Sequence, residues 1–223
     1  MTFLSATAAE PDRAAAAAAR VRPQLDKILG EKSLHFGDPV FLRIFKHERL
    51  LEVWLREPNM KSYRLLKTWP VAGMSGVLGP KLAEGDFQAP EGFYSVPPSE
   101  LNPQSQFHLS FNLGFPNSYD RAHGRTGTFL MVHGSNLSAG CFAMTDPAIE
   151  EIYTLCAAAL NNGQSAFPVH IFPFRMTPER LTAAAGHPSL DFWRNLQEGY
   201  DAFEASRIPP RINVSALRYV IEK

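Results

Sequence analysis

The hydrophobic period of the chain changes near residue 39, and that change limits the fold more than any other feature. Before it, residues 11–29 read as one or two helical segments, with six consecutive alanines (14–19) and with Pro23 as the expected break or kink. After it, "PVFLRIFKHERLLEVWL" (39–55) carries two short apolar runs around a polar turn at His47–Glu48–Arg49, and "SYRLLKTW" (62–69) supplies a third. Runs of this length joined by polar turns predict a meander of antiparallel strands. A chain of 223 residues is long enough to bury a substantial core around them.

Further along, "GMSGVLGPKLAEGDFQAPEGFYSVPPSELNP" opens an irregular, Gly- and Pro-rich segment over 70–104, with one short strand expected at Phe93–Val96. Segments this long in a compact domain often carry function. "SQFHLSF" (105–111) alternates and reads as a strand, 112–127 as a loop, and "TFLMVH" (128–133) as a buried strand. A helix is expected from Asp146 as N-cap, with Pro147 first in the helix and Glu150 and Glu151 in its first turn. Ile149, Ile152, Tyr153, Cys156 and Leu160 form its apolar stripe, and Asn161–Asn162–Gly163 ends it. "FPVHIFPF" (167–174) is strand-like, and residues 189–205 form a helix with Trp193, Leu196, Tyr200 and Phe203 on one face. The closing residues read as extended. The fold class is therefore α+β and β-rich: strands first, one central helix, and a C-terminal helical addition.

Composition excludes several functions. Lys plus Arg and Asp plus Glu both number 22, so bulk electrostatics gives no basis for nucleic-acid binding. No apolar run approaches the roughly 18 residues that span a bilayer. The start, "MTFLSATAAEPDRAAAAAAR", has no basic region followed by an apolar one, so no export signal is expected there. The two cysteines, Cys141 and Cys156, are too few for a disulfide framework, and no Cys/His spacing suggests a metal site. No cofactor is implied.

The chemistry concentrates in "FLMVHGSNLSAGCFAMTD" (129–146). His133 ends an apolar strand, where a base can be mounted rigidly, and Gly134 follows it. Cys141 lies eight positions later among Ser138, Ala139 and Gly140, small residues that leave a sulfur approachable. A lone cysteine is often just a small buried hydrophobe, and a histidine at a strand end often just an edge residue. Together they fit a thiol nucleophile with its base. His123 is a rival base, but it sits in mid-loop beside a glycine. Cys156, on a helical stripe, reads as core.

The block "MVHGSNLSAGCFAM" resembles the signature of the L,D-transpeptidase (YkuD-like) family of cell-wall enzymes, His-Gly followed by Ser/Thr-His-Gly-Cys. The spacer is short, and Ala139 stands where that signature has a second histidine. Both departures resemble the YafK-like branch, as do "KLAEGDFQAPEGFYSV" (81–96), "FHLSFNLGFPNSYDRAHGRTG" (107–127) and "FPVHIFPFRM" (167–176). The resemblance implies a YkuD-like sheet or sandwich core over 35–180, preceded by a helical segment (1–34) and followed by a C-terminal helix and tail (181–223) packed on the same domain. It implies Cys141 as nucleophile, His133 as base and then acid, and an oxyanion hole from the N–H groups of Gly140 and Cys141 with Ala139. Arg121 and Arg125 are candidates to hold a stem-peptide carboxylate, or else pair with Asp120 or a loop carbonyl. Asn112, Tyr119, Gly134 and Ser138 are candidates to line the substrate, and Tyr119 is equally explained by loop packing.

By the same resemblance the expected activity is peptidoglycan cross-linking through a thioester on stem-peptide diaminopimelate, in the periplasm, with a role in cell shape. A carbapenem is expected to acylate Cys141. An amidase that releases a peptidoglycan-anchored lipoprotein is the alternative within the family, since water can replace the acceptor amine. A non-catalytic peptidoglycan-binding module is the alternative of another class.

Overall fold

The computed structural model describes residues 12–222, so the expectations for residues 1–11, including the absence of an export signal there, lie outside the described residues. The alanine run forms helix α1 (Arg13–Glu31), with Asp12 capping its first turn by accepting from Ala15 N at 3.0 Å. Pro23 does not break it. A proline inside a helix removes one hydrogen bond and costs about 3 kcal/mol. Burial of Leu25 and Leu29 beyond the proline keeps the helix in one piece.

The meander follows as expected: β1 (Val40–Phe45), β2 (Leu50–Arg56) and β3 (Tyr63–Pro70). With β4 (Gly92–Val96) and β9 (Phe167–Phe172) they make a five-stranded sheet of order β3-β2-β1-β9-β4, in which only the β1–β9 pair is parallel. β1 is central and buried along its whole length. Val40, Leu42 and Ile44 enter the main core with α1 and the central helix α3 (Asp146–Asn161), whereas Phe41 and Phe45 point to the other face and pack with Trp193 and Phe203 of α5 (Leu190–Ser206). Both faces of this sheet are therefore covered by helices.

A second sheet, β5 (Leu101–Asn102), β6 (Ser110–Asn112), β7 (Met131–His133) and β8 (Phe142–Ala143), adds Phe111, Val132 and Phe142 to the main core. The strands expected over 105–111 and 128–133 shrink to these three-residue pieces, because His108 and Phe129 take positive φ values of 69° and 54° and bend the chain out of the ladder. Two short helices were not legible: α2 (Ser118–Ala122), closed by an Asn117–Asp120 capping box, and α4 (Pro178–Ala183). The extended tail is a hairpin, β10 (Arg211–Ser215) with β11 (Arg218–Glu222), resting on α5.

The long Gly/Pro segment between β3 and β4, residues 71–91, is a strap held by a buried ion pair. Lys46 Nζ lies 3.0 Å from Glu91 Oε1, both side chains sealed from water, and also donates to the carbonyls of Gly79 (2.7 Å) and Ala89 (2.9 Å). Glu91 in turn accepts from Gly79 N and from Trp193 Nε1, each at 2.7 Å. One ion pair thus joins the end of β1, the middle and the far end of the strap, and α5. Removing one partner of such a pair leaves a bare charge in the core, which costs about 3–5 kcal/mol. Lys46→Ala and Glu91→Ala are each expected to lose about that much in urea unfolding. Lys46→Met combined with Glu91→Leu should lose less than the two singles added together. Single losses below about 1 kcal/mol would show that the pair does not anchor the strap.

Candidate active site

The site is built on the four-stranded sheet. β6 and β7 pair antiparallel with Ser110 opposite His133 and Asn112 opposite Met131, and β7 and β8 pair parallel with His133 opposite Ala143. Since Phe111, Val132 and Phe142 face the core, the alternation of strands turns Ser110, Asn112, Met131, His133 and Ala143 to the other face. Cys141 precedes β8 by one residue and falls beside Met131, whose N–H donates to Sγ at 3.3 Å. Cys141 and His133 are therefore diagonal neighbours on one face of adjacent strands.

His133 is almost fully buried. Its Nδ1 faces the carbonyl of Gly134 at 2.6 Å, so Nδ1 carries the proton and Nε2 keeps a free lone pair. A backbone carbonyl thus orients the imidazole, with no carboxylate involved. The Phe107 ring covers it at 4.7 Å between centroids. Arg13 of α1 fixes that cover by donating to the carbonyls of Ser105 (2.7 Å) and His108 (2.8 Å), while His108 Nε2 and Arg20 converge on Glu150 of α3. Gly134 is required here: a Cβ would lie 2.6 Å from Asp146 Oδ1 and 2.7 Å from Phe107 O. Burial pushes the His133 ring below its ordinary pKa, against the raising effect of the Gly134 carbonyl.

Cys141 is a half-buried free thiol whose Sγ–H donates to Phe129 O at 3.4 Å. Burial pushes its pKa up; the Met131 N–H and the charge of Lys81 pull it back in part. The resting pair is therefore neutral thiol beside neutral imidazole, and no hydrogen bond joins them. Gly140 holds a φ of 89°, a conformation that favours glycine, and its N–H donates to Ser75 Oγ of the strap at 2.7 Å. Ser75 in turn donates its hydroxyl to Phe87 O at 2.6 Å. The expected oxyanion donor at Gly140 is thus engaged by the strap, whereas the N–H groups of Ala139 and Cys141 have no hydrogen-bond partner among the described residues. The expected N-cap also moves. Thr145 occupies that position without a side-chain cap, and Asp146, first in the helix, accepts from Ser135 N at 2.7 Å. The carboxylate ties down the His133–Cys141 loop instead of capping α3.

The other expected residues divide among different surroundings. Ser138 lies three residues before the nucleophile, and its Oγ is buried without a hydrogen-bond partner. Ala139 is exposed. Asn112 lies on the His133 face and accepts from Gly114 N at 3.2 Å. Arg125 pairs with Asp120 at 2.8 Å, between the rings of Tyr119 and Phe192, and with them lines a cavity of about 750 Å³ that also touches Asp86, Gln88 and His123. Cys141 is not among that cavity's lining residues. Tyr119 is stacked on Tyr219 at 4.2 Å, which is loop packing. Arg121 is exposed and bonded to the Pro116 carbonyl. His123 contacts the Leu217 carbonyl at 2.9 Å. Cys156 is sealed in the core. Sequence reasoning missed Ser75, Lys81, Phe107 and Ser110; of these, only Ser110 had a signal, its place in the alternation of "SQFHLSF". Among the described residues, no cluster of three or more His, Cys, Asp or Glu could hold a metal, and no helix is long and apolar enough to cross a membrane.

No family model matches the sequence. The chain is 45% identical over 187 residues to the candidate L,D-transpeptidase YafK of Escherichia coli, in strain K12 and in O157:H7 alike, covering 84% of this chain and 75% of that protein. Among solved structures it is similar to the helical cell shape determining protein Pgp2 of Campylobacter jejuni. A mutant form of Pgp2 gives 20% identity and a TM-score of 0.49, over 81% of this chain and 63% of that one. The unsubstituted form gives 18% and 0.47, over 86% and 80%. L,D-transpeptidase 1 of Mycobacterium tuberculosis gives 13% and 0.32, over 60% and 62%.

A buried thiol with a raised pKa reacts only as its thiolate forms. Alkylation of Cys141 by iodoacetamide is expected to climb through the alkaline range without a plateau near neutrality. Lys81→Met removes the nearby positive charge and should slow the reaction at pH 8 by about two- to tenfold. Stopped-time alkylation read by intact mass checks both, and a wild-type rate already maximal at pH 6 would contradict the neutral resting pair.

Proposed function

The chain belongs to the L,D-transpeptidase family, in its YafK-like branch, and from that premise we propose that it is a cysteine acyltransferase acting on the stem peptides of peptidoglycan. The observation that carries this reading is the diagonal placement of Cys141 and His133 on one sheet face, with His133 Nδ1 tied to a carbonyl and Nε2 left free.

In the first half-reaction, the Cys141 thiol gives its proton to His133 Nε2 as Sγ bonds to the diaminopimelate carbonyl carbon. The Cys141 N–H meets the developing oxyanion; the Gly140 N–H joins it when Ser75 lets go. The carbonyl–nitrogen bond to the terminal D-alanine then breaks, and the departing nitrogen takes the proton from His133. In the second half, an amine of another stem peptide loses a proton to His133 and attacks the thioester, and the carbon–sulfur bond breaks to return the thiol. Water in place of that amine makes the same acyl-enzyme a hydrolase, which is how a lipoprotein linked to peptidoglycan would be released. Arg125 is already paired with Asp120 between the rings of Tyr119 and Phe192, in a cavity that Cys141 does not line, so we assign it to holding that loop and not to a substrate carboxylate. The substrate puts the site of action in the periplasm and links the activity to cell shape. A carbapenem would acylate the same sulfur.

Disaccharide-tetrapeptide muropeptides incubated with the protein are expected to yield dimers that have lost D-alanine, read by mass spectrometry. Cys141→Ala should abolish them, and His133→Asn should slow them by about 10²–10⁴-fold. Monomers shortened by D-alanine, or release of peptide from lipoprotein-linked peptidoglycan, would assign water as the acceptor. No product and no acyl-enzyme on either substrate would leave the binding module as the surviving reading.

A further inference from the structure

The N–H of Gly140, an expected donor to an oxyanion, ends at rest on the Ser75 hydroxyl at 2.7 Å. That hydroxyl is itself held by the Phe87 carbonyl at 2.6 Å. The two arms of the strap that carry Ser75 and Phe87 are fixed to each other. Ala89 N donates to Ser75 O at 3.3 Å, and the Gln88 side chain accepts from Val77 N at 2.9 Å and donates to Gly79 O at 2.7 Å. Asp86, on the other side of Phe87, accepts from Leu82 N, Ala83 N, Gln88 N and Lys81 Nζ. Between these two anchored residues Phe87 has a φ of 52°, a region that strains a side chain with a Cβ. Its ring is 65% exposed, so little packing offsets that strain. The carbonyl that this strained residue presents is the one that holds Ser75.

We propose that Ser75 is a positioning residue that keeps the oxyanion hole half closed at rest and opens it by turning about its χ1. The inference rests on the acyltransferase reading of Cys141. The two arms hold the backbone of Ser75 in place, so the hydroxyl alone has to move. Ser75 is only half-buried, so water can meet the freed hydroxyl and no unpaired group is left in the core. Gly140 then offers its N–H beside that of Cys141, where the carbonyl oxygen of the substrate becomes negative. Opening also releases the Phe87 carbonyl, and the backbone that relaxes there offsets part of the hydrogen bonding that the strap gives up. Alkylation of the same sulfur forms no oxyanion and does not call on the gate.

Ser75→Ala, Ser75→Thr and Phe87→Gly are compared with the parent in two reactions of Cys141, acylation by a carbapenem and alkylation by iodoacetamide, both timed by intact mass. In Ser75→Ala, acylation is expected to run about three- to tenfold faster, because the Gly140 N–H no longer has a bond to break. Glycine takes a positive φ without strain, so Phe87→Gly settles the closed state and should slow acylation about three- to fivefold. Ser75→Thr keeps a hydroxyl and should return the parent rate, and alkylation should stay unchanged throughout. A structural role for Ser75 predicts slower acylation in Ser75→Ala, with alkylation disturbed alongside it. Acylation of Ser75→Ala at the parent rate or below overturns the gate, and the acyltransferase reading stands as long as the parent is acylated. A gain shared equally by alkylation marks a loosened site and overturns the gate as well. If neither the parent nor any variant is acylated while Cys141 still alkylates, the acyltransferase reading fails and the gate falls with it. Should Ser75→Ala not fold, Phe87→Gly decides alone: slower acylation supports the gate, and an equal or faster rate overturns it.

Discussion

At the end of the central strand, a lysine and a glutamate sealed from water decide what the most irregular stretch of the chain can do. Residues 71–91 have almost no secondary structure of their own. Lys46 and Glu91 replace it by taking up the polar groups of Gly79, Ala89 and Trp193 around one ion pair. A buried pair earns no stability over well-packed hydrocarbon, but it tolerates few geometries, because each charge needs all its partners. The fixed strap then reaches the nucleophile turn through Ser75, so the position of an ion pair on the larger sheet is passed to the backbone beside Cys141.

Burial sets the chemistry of the pair as well. It raises the thiol and lowers the imidazole, so both groups rest uncharged where a thiolate–imidazolium pair would be the more reactive state. In the proposed reaction such a neutral pair would become reactive only when a substrate supplies the electrophile, and the Gly140 N–H would be free only once its bond to Ser75 is broken. The imidazole needs no acid partner for this. A carbonyl one residue away fixes its tautomer, and a phenylalanine held by the N-terminal helix fixes its plane. The helix at the start of the chain and the histidine at its middle are therefore parts of one mechanical unit.

Much of this was legible from residue patterns, and the parts that were not share a cause. The meander, the central helix and the helix over 189–205 were visible because their apolar periods run over several turns or strand pairs, long enough to dominate local noise. Cys141, His133 and the core role of Cys156 were visible from their small neighbours, strand end and helical stripe. What escaped depended on contacts distant in sequence. Pro23 is carried by tertiary burial of Leu25 and Leu29. The strands around Ser110 and His133 are cut short by single residues in left-handed conformations. Asp146 looks like an N-cap, yet it serves a backbone N–H eleven residues earlier. Ser75 and Lys81 reach Cys141 across some sixty residues of chain, a relation that no local spacing can encode.

One bridge in the strap has a consequence for how any peptide meets the nucleophile. Ala143 exchanges hydrogen bonds with Gly73 in both directions, at 2.8 and 3.1 Å, and its carbonyl also takes Ala72 N at 2.8 Å. That closes the free margin of β8, the strand that begins next to Cys141. An extended chain cannot therefore dock here by strand addition, the commonest way a sheet captures a peptide backbone. A peptide acyl donor of the kind proposed above would then be held near Cys141 by contacts other than main-chain pairing with β8.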